Sequence, residues 1–357
     1  MKVLQIIDSL GIGGAEKLII DLVPVLNKNN IKTDVLLLKG EQTEFYKNLK
    51  NQNICNIFSL GNSIYNPLYI FKIIPYLRKY DVVHVHLFPA QYFAVLAKVI
   101  SFSKVKLVFT EHSTGNKRLH NPSTRRLEKW IYKYFVKIIC ITKEVKKVLI
   151  EKLNIDSQKL LVVENGIDLD KINKASNADR SVFGYDNNDL ILIMTAGFRE
   201  QKDQDTVIKT LEKLPAQYKL LLIGDGERRS ILENLAHSLN VANRVQFLGT
   251  RDDVYPLTKM ADIAVLSSHW EGFGLAAAEA MACGTPTIAS NVPGLAQVVE
   301  NGGFLFERGN VENLKMKIES LRDLKIYNEV KLSGINKAKQ YSLHFMIEKI
   351  MNIYKSL

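Results

Sequence analysis

Cysteine is scarce in this chain, which excludes two ways of holding a small fold together. The 357 residues include three cysteines, Cys55, Cys140 and Cys283, which are widely spaced and form no C-x-x-C pair. A disulfide framework and a structural zinc site are therefore not expected. Glycine (20 residues) and proline (9 residues) are also too few for a disordered or fibrous chain. The sequence predicts a folded protein of about two domains that needs no crosslinks.

Uninterrupted hydrophobic runs of membrane-spanning length are lacking as well. The most apolar long stretch, VVHVHLFPAQYFAVLAKVISF, is broken by two histidines, a proline, a glutamine and a lysine. It cannot form a spanning helix. The first residues, MKVLQIIDSL, have one lysine and an early aspartate, which is typical of a first β-strand and not of a signal peptide. We therefore expect a cytoplasmic protein.

The positive charge of the chain is unevenly distributed. The net charge is +11; residues 1–169 carry 25 basic and 14 acidic side chains, whereas residues 170–357 carry 23 of each. Ten of the basic residues lie in Lys117–Lys147, against Glu128 and Glu144. Four aromatic residues are interleaved with them: Trp130, Tyr132, Tyr134 and Phe135. The simplest interpretation is an amphipathic helix with a solvated basic face, and the alternative is a surface for an anionic membrane. We expect no nucleic-acid partner because no nucleic-acid-binding motif accompanies the segment.

Short apolar runs alternate with amphipathic segments along the whole chain. Twelve of the runs are typical of strands, from KVLQII to TPTIAS, and this alternation predicts parallel sheets covered by helices on both faces. A polar stretch near residue 170 separates two such blocks. We expect an α/β protein with two doubly wound domains, 1–170 and 171–340, facing a cleft. A terminal helix at about 341–357 should pack back on the first domain. Ligands of such sheets bind at the carboxyl ends of the strands.

A glycine-rich loop follows the first predicted strand, in the segment Asp8–Glu16. Glycines allow a backbone to approach a phosphate, and a helix N-terminus donates N–H groups to it. The segment GIGGAE lacks the last glycine or alanine of G-x-G-x-x-G, and the second strand ends in LLLKG without an acid for a ribose. The sequence therefore disfavours a nicotinamide-dependent oxidoreductase. A tight strand-to-helix turn is the alternative interpretation of this loop.

A second loop, EGFGLAAAE, places two glutamates seven residues apart after the predicted strand DIAVLSS. Glu271 lies on the turn and Glu279 about two helical turns further on. The helix N-terminus can bind an anion, and a carboxylate at Glu279 can accept two ribose hydroxyls. The alternative is an N-capping acid at Glu271 and a surface charge at Glu279. The apolar residues around Glu279 disfavour that alternative because a carboxylate there needs a partner.

Two further loops carry candidate ligand-binding side chains. Arg199 and Lys202 follow the strand LILIMTA, where two cations suit a diphosphate. His112 follows the strand KLVFT, where it can bond a substrate hydroxyl. Solvated loop charges and a structural histidine are the alternatives. His84 and His86 share a strand face but lack a third ligand nearby, so we expect structural roles for both, with His86 nearer the cleft.

Aspartates at two places have the spacing of a metal-binding motif. They are Asp168 with Asp170, next to the turn Asn165–Asp168, and Asp203 with Asp205. Asp168 is expected to cap a helix and Asp203 to open one. We expect a metal site at neither.

Taken together, these motifs resemble the retaining, nucleotide-sugar-dependent glycosyltransferases with a Glu-x7-Glu motif, the group called family 4. The resemblance spans nearly the whole chain and follows one order of motifs. These are the Gly13-Gly14 loop, Asn165–Asp168, the Lys202 loop, Gly224–Glu227 and Trp270–Gly294. It implies two Rossmann-like domains of the GT-B type. The chain resembles in particular the enzymes that assemble bacterial surface polysaccharides.

The resemblance also implies roles for individual residues. Glu279 would hold the ribose of the donor and Glu271 its sugar hydroxyls, while His112 would bind the transferred sugar. Backbone N–H groups of four residues would bind sugar and phosphate: Gly272, Phe273, Gly274 and Leu275. Gly13 and Gly14 would face the diphosphate from the first domain.

The diphosphate would also be held by Lys202 and an arginine. Many members have that arginine five residues before the lysine, where this chain has Gly197. Arg199, three residues before the lysine, is the candidate to replace it, with Gly197 left as a backbone contact to the donor.

The function so implied is metal-independent transfer of a sugar, with retention, from a nucleotide diphosphate sugar, with UDP favoured. The acceptor would be a saccharide or a polyprenyl-linked acceptor. The basic segment Lys117–Lys147 would allow the cytoplasmic enzyme to lie on the inner face of the plasma membrane. No cofactor is expected besides the substrate. The alternatives are a sugar-nucleotide epimerase of the same architecture and a non-catalytic basic membrane-binding protein.

Overall fold

A computed structural model describes residues 1–11, 13–113, 115–119 and 121–357. It divides the chain into two compact units, Met1–Gly166 with Leu343–Leu357, and Ile167–Ser342. The division falls close to the polar stretch in which the sequence analysis put the domain boundary, and the C-terminal helix Leu343–Lys355 belongs to the first unit.

The first unit is a parallel sheet of seven strands covered by helices. Its strands are β1 (Lys2–Ile7), β2 (Lys32–Lys39), β3 (Ile57–Gly61), β4 (Val82–His86), β5 (Lys106–Glu111), β6 (Phe135–Cys140) and β7 (Leu160–Val162). Its helices are α1 (Gly14–Lys28), α2 (Glu44–Asn51), α3 (Tyr69–Leu77), α4 (Ala90–Ile100), α5 (Pro122–Tyr132), α6 (Lys143–Leu153) and the C-terminal helix. The strand order is β3-β2-β1-β4-β5-β6-β7.

Hydrophobic spacing explains why the helices cover this sheet. Leu18, Leu22 and Leu26 recur every fourth residue along α1, so one stripe of that helix is buried. They pack with Ile350 and Tyr354 of the C-terminal helix in one core cluster. The C-terminal helix therefore completes the core of the first unit although 176 residues of the second unit, from Ile167 to Ser342, precede it in the chain.

The second unit is a parallel sheet of six strands. Its strands are β8 (Leu190–Thr195), β9 (Tyr218–Ile223), β10 (Val245–Phe247), β11 (Ile263–Leu266), β12 (Thr287–Ser290) and β13 (Phe304–Phe306). Its helices are α7 (Leu169–Lys174), α8 (Gln204–Glu212), α9 (Arg229–Ser238), α10 (Val254–Met260), α11 (Leu275–Ala282), α12 (Leu295–Val299), α13 (Val311–Ser320) and α14 (Leu324–Ala338). The strand order is β10-β9-β8-β11-β12-β13.

Both sheets have the doubly wound order that the sequence predicts. In each sheet the order reverses at one point, between β1 and β4 in the first unit and between β8 and β11 in the second. The loops that follow such adjacent strands are where α/β sheets bind ligands. The candidate residues Lys202 and Glu271 lie on the loops after β8 and β11.

Two local expectations were wrong. Strand β13 was not among the predicted strands because its three residues, FLF, are too short for a periodic signal. The basic segment Lys117–Lys147 is not one amphipathic helix: the structure divides it into α5, β6 and the start of α6, with Tyr132 and Phe135 buried in the core. His120 of that segment lies outside the described residues. In the described parts of the chain, no helix is long and apolar enough to cross a membrane.

Candidate active site

A lysine and a glutamate meet where the loops after β8 and β11 come together. The Nζ of Lys202 lies 2.5 Å from Oε2 of Glu271, and the hydroxyl of Ser268 donates to the same oxygen at 3.2 Å. Both members of the pair are largely buried, with side-chain exposures of 24% and 14%. The ammonium group of Lys202 is thus held against the turn that carries Glu271, at the carboxyl ends of the adjacent strands β8 and β11.

Hydrogen bonds join the two loops along their length. The side-chain amide of Gln201 donates to the carbonyl of Trp270 at 2.8 Å, and the backbone N–H of His269 donates to the carbonyl of Gln201 at 2.8 Å. The buried hydroxyl of Ser267 donates to the carbonyl of Asp203 at 2.6 Å. Because backbone atoms carry most of these bonds, the position of Lys202 relative to Glu271 is fixed before any ligand arrives.

The Glu271 turn leads directly into the N-terminus of α11. Gly274, at φ 90°, is the residue before the helix. The N–H groups of Leu275 and Ala276 precede the first helical bonds, which run from Ala277 and the next residue to the carbonyl of Gly274. These first N–H groups have no acceptor within the helix and give the turn a partial positive charge.

The side chain of the residue between the two glycines is used for anchoring. Phe273 is 3% exposed, and its ring packs edge-on against Tyr341 at 5.2 Å between ring centroids. Its side chain is therefore in the core, and only its backbone is available to a ligand. Donation of backbone N–H groups to a ligand by Gly272, Phe273, Gly274 and Leu275 stays a prediction.

A glycine outside the turn, Gly294, packs against the backbone of the Glu271 turn. Gly294 has φ 86°, and a Cβ at this position would lie 2.3 Å from the carbonyl oxygen of Glu271 and 2.7 Å from that of Gly272. Such contacts are too close for any side chain. Gly294 thus lets the loop before α12 support the backbone that carries Glu271.

Glu279 lies on α11 itself, and it is buried. It is 9% exposed, and Tyr255 of α10 donates a hydrogen bond to its Oε1 at 2.9 Å. It lines a narrow cavity with Thr195 and Leu266, which end β8 and β11, and with Ala276. Its negative charge helps to raise the pKa of the adjacent Cys283 thiol to about 12, after burial. The carboxylate is thus a buried group at the same sheet edge and not a surface charge.

Gly197 and Arg199 have different surroundings on the loop after β8. The carbonyl of Gly197 accepts a bond from the Gln204 side chain at 3.1 Å, which ties the loop to α8. Arg199 is exposed and forms no salt bridge with any residue in the described ranges. The structure therefore brings Lys202 to Glu271 but leaves Arg199 in solvent.

The aspartates with metal-like spacing are engaged elsewhere. Asp168 caps α7 by accepting from the N–H of Lys171 at 2.9 Å, and Asp203 caps α8 by accepting from Thr206. Both caps were predicted. Asp205 is bonded by Arg228 at 2.7 and 2.8 Å. Within the described residues there is no group of three or more His, Cys, Asp or Glu side chains that could hold a metal ion.

The glycine-rich loop of the first unit leads into α1. Gly13 precedes the helix in an extended conformation and Gly14 is its first residue, while Ile12 lies outside the described residues. The loop begins at Asp8, whose carboxylate accepts from the N–H of Ala90 at 3.2 Å. Burial raises the pKa of Asp8 to about 7. The loop thus has one acid that is partly protonated near neutral pH.

His112 lies in the first unit just beyond β5. Its Nε2 is 3.1 Å from Nδ1 of His86, which is fully buried. Burial lowers the pKa of His112 to about 4, so its ring is neutral at physiological pH. His84 and His86 are both hydrogen-bonded inside the core, and Thr114, at the end of the predicted loop, is outside the described residues.

Sequence reasoning missed several residues of these sites. Ser268 directly precedes the Glu271 loop at the end of a strand, and that position could have identified it. Tyr255 carries no sequence signal because its partner Glu279 is 24 residues away. In the first unit, the burial of the Glu111 and Glu128 carboxylates was not predicted: Tyr132 donates to the first, and Arg118 is paired with the second.

The class of protein follows from this fold and from matches to family models. Two parallel doubly wound sheets, with charged loops at the points where the strand order reverses, define the GT-B glycosyltransferase architecture. The model described as Glycosyltransferase Family 4 matches residues 12–171, and the model described as Glycosyl transferases group 1 matches residues 176–339. The chain belongs to the family 4 glycosyltransferases, as the resemblance indicated.

Named relatives agree with this assignment. The chain is 30% identical over 285 residues to N-acetyl-alpha-D-glucosaminyl L-malate synthase of Bacillus anthracis, covering 78% of this chain and 74% of that protein. It is 26% identical over 317 residues to an Escherichia coli enzyme, UDP-Gal:alpha-D-GlcNAc-diphosphoundecaprenol alpha-1,3-galactosyltransferase, covering 84% of this chain and 81% of that protein.

Among solved structures, Anabaena HepE in complex with UDP and glucose has the same fold. It is 23% identical, with a TM-score of 0.87 and full coverage of both chains. WaaG, a glycosyltransferase involved in lipopolysaccharide biosynthesis, is 16% identical with a TM-score of 0.77 and covers 98% of this chain and 99% of its own.

Proposed function

We propose that this protein transfers a sugar from a UDP-sugar, with retention of anomeric configuration and without a metal ion, to a saccharide or polyprenyl-linked acceptor. The observation that carries the proposal is the Lys202–Glu271 pair: Lys202, on the loop after β8, lies 2.5 Å from Glu271 on the turn that leads into α11. The name of the Escherichia coli relative specifies UDP-galactose and a diphosphoundecaprenol acceptor, and the Anabaena structure contains UDP, which favours UDP here.

The leaving diphosphate is the group that this turn suits. As the bond to the sugar lengthens, negative charge grows on the diphosphate oxygens. In this proposal the ammonium of Lys202 and the N–H groups of Leu275 and Ala276 stabilise that charge, since they carry positive or partial positive charge at this turn. No metal is needed for this, and Asp203 and Asp205 are already engaged as a helix cap and a salt bridge.

Glu271 and Glu279 would hold the two ends of the donor. The Glu279 carboxylate lies near the ends of β8 and β11, and in this proposal it would accept the ribose hydroxyls at that edge of the sheet. Glu271 would accept hydroxyls of the transferred sugar while its other contacts keep Lys202 in place. A ligand that bridges both carboxylates would have its diphosphate at the intervening helix N-terminus.

The retaining outcome is proposed from the family resemblance. The acceptor hydroxyl would attack on the face from which the diphosphate leaves, and its proton would pass to a departing phosphate oxygen. The sugar would be oxocarbenium-like in between. Neutral His112 would bond a hydroxyl of that sugar, and Gly13 and Gly14 would face the diphosphate from the first unit.

A peripheral membrane position is part of the proposal. Four exposed basic side chains lie on or just after α5: Arg125, Arg126, Lys129 and Lys133. Leu127, between them, is 46% exposed. Basic residues near an anionic surface contribute about 1 kcal/mol each. Sedimentation with anionic and neutral vesicles tests this part; equal binding to both, or to neither, would contradict it.

The direct test is a thermal-shift screen of the purified protein against UDP-, GDP- and ADP-sugars. A UDP-sugar at 100 times its Kd should add about 2.7 kcal/mol to the free energy of unfolding. The stabilising donor is then incubated with and without saccharide acceptors, and proton NMR follows the anomeric signal. Transfer with the donor's configuration is expected. Stabilisation by no nucleotide sugar would refute the proposal, and a changed sugar without acceptor would indicate the epimerase alternative.

A further inference from the structure

Five buried polar side chains form a continuous hydrogen-bonded chain behind His112. His84 and His86 point to one face of β4 because they are two residues apart. Their register partners, Gln5 on β1 and Thr110 on β5, lie beside them on the same face. Tyr354 of the C-terminal helix covers them. All five are at most 2% exposed.

The hydrogen-bond contacts of these side chains run without interruption from Thr110 to His112. Thr110 Oγ1 is 2.7 Å from Nε2 of His84, and Nδ1 of His84 is 2.5 Å from the hydroxyl of Tyr354. The amide nitrogen of Gln5 donates to that hydroxyl at 3.0 Å. The amide oxygen of Gln5 is 2.9 Å from Nε2 of His86. Nδ1 of His86 is finally 3.1 Å from Nε2 of His112.

The direction of each bond follows from the Gln5 amide. Its oxygen accepts only, so Nε2 of His86 is protonated and Nδ1 of that neutral ring accepts. His112 must then donate from Nε2, which leaves a lone pair on its Nδ1. On the other side, the amide nitrogen of Gln5 donates to Tyr354, so the proton of the Tyr354 hydroxyl is available to Nδ1 of His84. Burial lowers the pKa of His84 to about 3, which keeps that ring neutral too.

We infer that Gln5 and Tyr354 are positioning residues that fix His112 in the tautomer with a hydrogen-bond acceptor at Nδ1. This inference rests on the proposed function for its consequence: His112 then accepts from a hydroxyl of the transferred sugar and does not donate to it. If the Gln5 amide turned over, every bond of the chain would reverse, and Nδ1 of His112 would become a donor. Tyr354, which belongs to the C-terminal helix, helps to hold one of these two states.

The test reads the tautomer directly in the full-length protein. Long-range proton–nitrogen NMR correlations distinguish the two neutral forms of a histidine ring, and a His112→Asn variant assigns the signal. We expect the Nε2–H form of His112 in the wild type. Gln5→Met, which removes the amide at similar volume, and Tyr354→Phe should each give a mixture of both forms. Gln5→Glu should retain the wild-type form because a carboxyl oxygen still accepts from His86.

Activity and stability serve as separate readouts. Tyr354→Phe should lower kcat by about 2- to 10-fold, the factor expected when one neutral hydrogen bond no longer favours a tautomer. The matched control is Tyr69→Phe, another tyrosine of the first unit that is 2% exposed; it should leave the tautomer and kcat unchanged at a similar change in Tm. A His112 tautomer unaltered in both Gln5→Met and Tyr354→Phe would overturn the inference. Absence of transferase activity with a fixed wild-type tautomer would instead count against the proposed function.

Discussion

Replacing Lys202 by methionine should weaken the binding of UDP far more than that of UMP. Lys202 is held by Glu271 at 2.5 Å, and the pair is largely buried, so its ammonium is already in place when the diphosphate arrives. A hydrogen bond to a charged group contributes about 1.5–3 kcal/mol, which corresponds to roughly 12- to 160-fold in Kd. The loss should fall in the upper part of this range, because the variant leaves the Glu271 carboxylate facing the diphosphate without a cation.

Isothermal titration with UDP and with UMP measures this effect, since UMP lacks the second phosphate. The wild type should prefer UDP, and Lys202→Met should lose most of that preference. Lys209→Met is the matched control: it removes an exposed lysine from α8 of the same unit and should leave both affinities unchanged. If Lys202→Met binds UDP within about twofold of the wild type, Lys202 does not hold the diphosphate and the reasoning fails.

Three other predictions follow from the same sites. Glu279→Gln should raise the Kd of UDP about tenfold or more, the cost of replacing a charged acceptor, and titration would contradict this if affinity held. EDTA should leave the transfer rate unchanged, whereas a loss reversed by Mn²⁺ would indicate a metal site. Burial raises the pKa of Glu111 to about 7 from 4.5, so the folded state binds more protons and loses stability as pH rises from 4.5 to 7. Relative to the wild type, the Tm of Glu111→Gln should rise over that range; a constant difference would contradict it.

The sequence was sufficient to predict the architecture because two kinds of signal repeat along it. Apolar runs such as KVLQII and LILIMT are nearly continuous, as strands buried on both faces of a parallel sheet must be. The loops between them carry glycines and charges. The glycine-rich and charged loops singled out from the sequence follow β1, β8 and β11, which are strands at the points where the order reverses. The three-residue strand β13 was too short to give such a signal.

The candidate site was only partly predictable because the residues that contact one another in it are far apart in the sequence. Lys202 and Glu271 were each recognisable on their loops, yet they are separated by 69 residues. Tyr255 and Gly294 act on the glutamates through tertiary contacts that no local pattern encodes. The buried hydrogen-bond network joins Gln5 to Tyr354, which are 349 residues apart in the sequence. It therefore forms only because the C-terminal helix packs on the first sheet.

The most direct measurement of the central claim is a crystal structure of the protein with a bound UDP-sugar. We expect the diphosphate within hydrogen-bond distance of Lys202 Nζ and of the N–H groups of Leu275 and Ala276, with the ribose hydroxyls bonded to Glu279. A nucleotide bound elsewhere, or a diphosphate that contacts neither Lys202 nor the start of α11, would contradict it.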